Sequence, residues 1–190
     1  EATAILAGDA LLTLAFQVLS SVQSTTGNQA SGWLKVIHII STAAGYRGMI
    51  RGQMLDMAAE GQHLTVDDLK SMHALKTGAL IEASLLCGAL LADARKRQMD
   101  ILKTYARSIG LAFQVTDDIL NVEGNPKIMG KAVGTDELRE KSTYPAILGL
   151  ERSRQFAKNL VDEALQALED FDKKADPLRA LATYIIDRKR

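Results

Sequence analysis

Residues 101–122 read ILKTYARSIGLAFQVTDDILNV, and the fold of the chain turns on this stretch. Leu111, Phe113, Val115, Ile119 and Leu120 supply an apolar body at helical spacing. One long helix is therefore predicted from about residue 95 to 122, stopped by Glu123-Gly124-Asn125-Pro126. At about 100° per residue, Gln114, Asp117 and Asn121 fall on one stripe of that helix, with Asp118 a further step round. Acids flanked by core need a cation. Two unit charges about 4 Å apart repel by roughly 4 kcal/mol at an effective dielectric near 20. Either basic side chains or a metal would satisfy them, and an all-oxygen set suits Mg²⁺ shared with a phosphate-bearing substrate. Read without other motifs, the same residues make an ordinary exposed acidic pair.

Upstream, the same periodicity predicts helices over about residues 2–22, 31–60, 65–78 and 79–92. Gly61 closes the second as a left-handed cap, and Thr65 with Asp68 starts the third as an N-cap with an acid three residues on. Residues 79–92 are apolar on nearly every face, so this helix is expected at the centre of the core. Lys76-Thr77-Gly78 is read as the point where one helix ends and the next begins, freeing carbonyls that could face a cation. Downstream, residues 126–140 read as a long irregular segment. Helices then follow over about 145–150, 153–171 and 177–188, with Pro145 and Pro177 in first-turn positions. No strand-like alternation or internal repeat stands out. The fold class is all-α, an antiparallel multi-helix bundle in a single domain.

The rest of the composition narrows the function. The 190 residues carry 23 Lys+Arg against 23 Asp+Glu, so no global charge draws the chain to nucleic acid or an anionic membrane. No membrane insertion is expected, because the longest apolar candidate, residues 77–92, is short and holds Glu82. The single cysteine, Cys87, is read as a buried small hydrophobe and fits a reducing, cytoplasmic location. His38, His63 and His73 lack metal-ligand spacing and are read as surface or packing residues. The basic tail from Arg188 to Arg190 is read as solvated. The chain opens at Glu1 already inside an apolar-periodic segment, which leads us to expect a piece of a longer protein.

Two further groups carry chemistry. Gly52-Gln53 and Asp56 share the second helix, Gln53 and Asp56 being three residues apart. Gly130-Lys131, Gly134-Thr135-Asp136 and Lys141-Ser142-Thr143-Tyr144-Pro145 follow the long helix. Glycines admit a ligand close to the backbone, and Lys131 and Lys141 are compact charges suited to phosphate oxygens. Asp136 could orient a metal-bound water. A solvated loop with turn glycines has the same composition.

Together with Gly8-Asp9-Ala10-Leu11 and Lys76-Thr77, these segments resemble the trans-prenyl diphosphate synthases, most of all the bacterial farnesyl diphosphate synthases. They stand in the family's order and span nearly the whole chain. The resemblance implies an isoprenoid synthase fold around a central cavity, a homodimer, and a Mg²⁺-dependent condensation of isopentenyl diphosphate with an allylic diphosphate. It assigns Asp117 as the most direct metal ligand, with Asp118, Asn121 and Asp136 in support and Asp56 near the metals bound opposite. Lys76 and Lys131 would contact the allylic diphosphate, with Lys141 and Gln53 also at the substrate. The Thr77 carbonyl and Gln114 would face the developing cation, and Phe113 would close the pocket near isopentenyl diphosphate. Two departures stand out. Asn121 replaces the last acid of the usual DDxxD, keeping an acceptor and losing a charge. The family's first aspartate-rich motif has no counterpart here, so these 190 residues alone are expected not to turn over. Farnesyl diphosphate is the expected product, with geranyl or geranylgeranyl diphosphate as alternatives. A non-catalytic helical partner subunit is the alternative from another class.

Overall fold

The computed structural model describes residues 1–22, 27–123 and 141–188. The described residues form helices joined by short turns and no strand: α1 (Ala2–Ser20), α2 (Gly27–Ala44), α3 (Met49–Ala58), α4 (Val66–His73), a π-helical turn (Ala74–Gly78), α5 (Ala79–Leu91) and α6 (Lys96–Glu123), then α7 (Tyr144–Leu148), α8 (Leu150–Ala167), a 3₁₀ turn (Lys173–Ala175) and α9 (Asp176–Asp187). The irregular segment expected over residues 126–140 lies outside the described residues.

The long helix α6 organises the rest. It buries Leu102, Tyr105, Ile109, Ala112, Val115 and Ile119 along one side, each full burial of a large side chain being worth roughly 1.5–3 kcal/mol. Ion pairs give the direction of its neighbours. Arg97 near its start pairs with Asp170, just beyond α8, and Glu123 at its end pairs with Arg154 near the start of α8, so α6 and α8 are antiparallel. Helix α5 is antiparallel to α6 as well: Gly78 backs onto Gly110, while Glu82 meets Arg107. Helix α9 returns parallel to α6. The Tyr105 hydroxyl donates to the Leu178 carbonyl at 2.7 Å, and Arg188 reaches Phe113. Burial pushes the Tyr105 hydroxyl up to about 12.

Several local expectations hold. Thr65 and Asp68 form the reciprocal capping box, Gly61 takes φ 71°, and Pro145 and Pro177 sit in the first turns of α7 and α9. Cys87 is buried. His38 and His63 are exposed, whereas His73 packs inside.

Four expectations are corrected. The helix expected over residues 31–60 is two helices, because the chain turns between Gly45 and Gly48. A Cβ on Gly48 would lie 2.1 Å from the Ala43 carbonyl oxygen, so only glycine permits the turn. Helix α5 is not the centre of the core: it buries only Ala83, Cys87 and Ala89. It packs on α2 through one face and α6 through another, leaving a third face unburied, whereas α6 is flanked by α5, α8 and α9. The chain does not break at Lys76-Thr77-Gly78 but stays helical through the π turn. Finally, two helices are long and apolar enough to cross a membrane by length and hydropathy, Ala2–Ser20 and Val66–Leu91. The second reaches that length because the π turn fuses what the sequence suggested were separate helices. Helix α1 buries none of its residues, and Leu6 and Leu11 are 66% and 67% exposed.

The approach of α3 to the π turn has no slack. A Cβ on Gly52 would stand 2.2 Å from the Lys76 backbone nitrogen and 2.5 Å from its Cα. Gly52→Ala is therefore expected to destabilise the fold by about 3 kcal/mol, the upper range for overpacking, because backbone cannot move aside as a side-chain tip can. The urea midpoint checks this, and an unchanged midpoint would refute the contact.

His73 supplies a pH signature. Burial first, and then the Lys76 charge, push its imidazole down from 6.5 to about 4, against the opposing pull of Asp56 and Asp117. The unfolded chain thus binds a proton that the folded chain refuses between those values. The His73 contribution to stability is present in full above pH 6.5 and is lost as pH falls toward 4. Equilibrium unfolding across that window should steepen with acidification in the parent and flatten in His73→Phe.

Candidate functional site

The polar residues gather where α3, α4, the π turn, α6 and the lead-in to α7 meet. Gly52 sets the arrangement by letting α3 lie on the π turn. Asp56, one turn further along α3, then receives the Lys76 ammonium at 2.7 Å. Lys141 donates to both oxygens of the same carboxylate, at 3.1 and 3.0 Å. Burial alone would raise this carboxyl, but the hydrogen bonds and charges of Lys76 and Lys141 outweigh it and hold Asp56 below its ordinary 3.8. The expectation that Asp56 lies beside bound metals gains nothing from this geometry, since its two oxygens face ammonium groups. Gln53, expected to share its face, is exposed while Asp56 is buried.

Lys141 is positioned by its neighbour. The Ser142 hydroxyl donates to the Gln62 carbonyl at 2.9 Å and accepts from the Leu64 amide at 3.0 Å, tying the lead-in to the α3–α4 turn. Thr143 caps α7 through the Ala146 amide. The first amide of α7, that of Tyr144, donates to Asp118 at 3.0 Å. One member of the acid pair therefore holds a helix start, a role its spacing did not signal. The Tyr144 ring is fully buried and stands 5.6 Å from His73, whose imidazole senses Asp56, Lys76, Asp117 and Lys141 together. The polar groups of α3, the π turn, α6 and the lead-in to α7 are joined through Asp56, Lys76, Lys141 and the Asp118–Tyr144 hydrogen bond.

The third cluster lies at Asp117. The Arg188 guanidinium packs 4.0 Å over the Phe113 ring, donates to the Phe113 carbonyl at 3.0 Å and stands 3.6 Å from the Asp117 carboxylate. Its side chain is 9% exposed. This corrects the expectation of a solvated basic tail for Arg188, which the end of α9 turns inward against α6, while Lys189 and Arg190 lie outside the described residues. Read along the chain, Arg188 belongs to a short basic run. No signal there separates it from its neighbours, because the parallel packing of α9 on α6 is a tertiary fact. Burial lowers the guanidinium, opposed by the Asp117 charge.

The remaining candidates are placed as follows. Thr77, Phe113 and Gln114 are half-buried, and Asn121 is buried. Lys131 and Asp136 lie outside the described residues. A cavity of about 800 Å³ takes in Asn121, Lys141, Thr143 and Leu64 in its wall. Another, of about 630 Å³, lies between α2, α5 and α6 around Thr42, Gly78, Glu82 and Leu111. Of the described candidates only Gly78, from the Lys76-Thr77-Gly78 junction, lines that second cavity.

A divalent cation fits these donors in kind. Asp117, Asp118 and the Asn121 amide offer oxygen only, the set that Mg²⁺ prefers. A cation already stands beside Asp117 in the form of Arg188. In number the donors are few. Among the described residues no three His, Cys, Asp or Glu side chains converge on one point. Water and substrate oxygens would have to complete an octahedron, as is usual for this ion.

Comparison with known proteins identifies the family. The family description Polyprenyl synthetase matches residues 1–183. The chain is 47% identical over 194 aligned positions to the farnesyl diphosphate synthase of Escherichia coli, covering 100% of this chain and 64% of that protein. It is 41% identical to the geranylgeranyl diphosphate synthase of Cyanophora paradoxa, covering 99% and 62%. The solved geranyltransferase of Helicobacter pylori complexed with magnesium and isoprenyl diphosphate superimposes with a TM-score of 0.82 at 32% identity, covering 98% of this chain and 60% of that one. The chain thus spans less than two thirds of the length of each. An all-α bundle with its acid pair on α6, matched along nearly all its length by one family description, leaves a single assignment: the chain belongs to the polyprenyl synthetase family.

Proposed function

We propose that the protein, at its full natural length, condenses isopentenyl diphosphate with dimethylallyl or geranyl diphosphate in a Mg²⁺-dependent reaction whose product is farnesyl diphosphate. The observation that carries the reading is the acid pair of α6, whose Asp118 holds the Tyr144 amide three residues from Lys141, with Lys76 and Lys141 both anchored on Asp56. The Escherichia coli relative supports the product length, and the Cyanophora relative keeps a longer product within the family's range.

In the reaction the allylic carbon–oxygen bond breaks and its electron pair leaves on the diphosphate. The double bond of isopentenyl diphosphate then forms the new carbon–carbon bond, and the proton that is lost passes to an oxygen of the departed diphosphate. Mg²⁺ held by Asp117, with Asp118 and Asn121 behind it, would neutralise the departing diphosphate. Lys76 and Lys141 hold compact positive charge near the same oxygens, and Lys131 is proposed for the same task. Asp56 keeps both described lysines aimed, because neither ammonium can leave its carboxylate without weakening the compensation of a buried charge. The wide π turn at Thr77 and the Gln114 amide offer dipoles toward an electron-poor carbon, fixed before the reaction begins. Phe113 presents an apolar face that keeps water away. Asp136 is proposed to order a water in support.

The apolar, unburied length of α1 supports a homodimer formed through that helix rather than insertion in a bilayer. Asp9 near its middle would be costly in lipid and is tolerable in a protein contact.

Incubation of the full-length protein with Mg²⁺ and both diphosphates, followed by mass spectrometry, should give a C15 diphosphate that EDTA abolishes. A C20 product would reassign the chain length, and no product would sink the reading. Asp117→Ala is expected to lower kcat by about 10²-fold or more, an effect in line with losing charge stabilisation in the transition state, with the circular dichroism spectrum unchanged. Sedimentation velocity should show a dimer, and a monodisperse monomer would remove that part.

A further inference from the structure

We propose that Arg188 is a built-in counter-cation of Asp117, a positioning residue that makes the α6 acid site favour a metal–diphosphate complex over the bare metal. The inference rests on the proposed reading of Asp117 as a metal ligand.

Three observations carry it. The guanidinium is 9% exposed, so its charge is poorly screened by water, and it stands 3.6 Å from an Asp117 oxygen. It is held there by contacts that do not involve Asp117, namely the Phe113 carbonyl at 3.0 Å and the Phe113 ring at 4.0 Å. Its position therefore survives a change of partner at the carboxylate. Lastly, Nε is buried without a hydrogen-bond partner among the described residues. A buried donor left unsatisfied is expensive, and it leaves the guanidinium able to take a further acceptor.

Charge arithmetic gives the consequence. A bare divalent cation arriving at Asp117 meets a fixed positive charge within a few ångströms and is repelled by it. A diphosphate carries more negative charge than one divalent ion cancels, so the same metal arriving with diphosphate is net negative and is attracted. One fixed charge thus discriminates between the two loading routes. At a separation of about 6 Å and an effective dielectric of about 40, its removal should tighten the doubly charged bare ion about a hundredfold and weaken the complex of net charge about −1 about tenfold.

The test needs no turnover. Binding of Mn²⁺ alone, followed by electron paramagnetic resonance, and of Mn²⁺ with inorganic pyrophosphate, followed by calorimetry, is compared in the full-length protein and its variants. Arg188→Met should tighten Mn²⁺ alone about a hundredfold and weaken the pyrophosphate complex about tenfold. Arg188→Lys, which keeps the charge, should restore the parental order. In an Asp117→Ala background, Arg188→Met should no longer alter Mn²⁺ binding. A merely structural role would move both affinities the same way and would not be rescued by charge. Affinities that fall together, or do not move, overturn the inference while leaving the prenyl-transfer reading intact. Mn²⁺ binding that ignores Asp117→Ala, or is undetectable throughout, overturns both the inference and the assignment of Asp117.

Discussion

Helix α3 can lie against the π turn only because Gly52 has no side chain, and the rest of the polar site hangs on that approach. With backbone against backbone at this point, Asp56 arrives beside Lys76 one turn later. A buried carboxylate placed there must be compensated, and Lys141 completes the compensation from a segment far along the chain. Three stretches of sequence are thereby fixed to one another by charge. A larger residue at position 52 would move the carboxylate, and both ammonium groups would lose their common anchor.

The same economy recurs at α6. Its acid pair divides labour: Asp118 holds the first amide of α7, while Asp117 faces Arg188. Holding α7 also fixes Tyr144, and through its ring the buried His73 between α4 and α7. Burial then keeps that imidazole neutral, so the volume around it contains opposed charges on fixed supports and no proton of its own to give near neutral pH.

Secondary structure was legible where the signal is local. The caps at Thr65 and Gly61, the first-turn prolines and the length of α6 follow from neighbours in sequence, since each is decided by hydrogen bonds within a few residues. The misreadings have two origins. The break at Gly45–Gly48 is a local glycine turn that apolar periodicity does not register, whereas the continuity through Lys76-Thr77-Gly78 and the half-buried α5 depend on what another helix does at that place. Apolarity on every face told that α5 could be central. It did not tell which faces would find partners.

The candidate site divides in the same manner. The order and identity of its polar residues, and the stripe through Gln114 and Asp117, are properties of the sequence, because a helix fixes which residues share a face. Family membership followed from those motifs and their order, and it holds over residues 1–183. The tertiary structure alone decided that Asp56 answers two lysines, that Asp118 caps a distant helix, and that Arg188 turns from a basic tail into a buried partner of Phe113 and Asp117. Each of these joins residues far apart in the chain, and a charge chooses its partner by distance in space, which sequence does not encode directly.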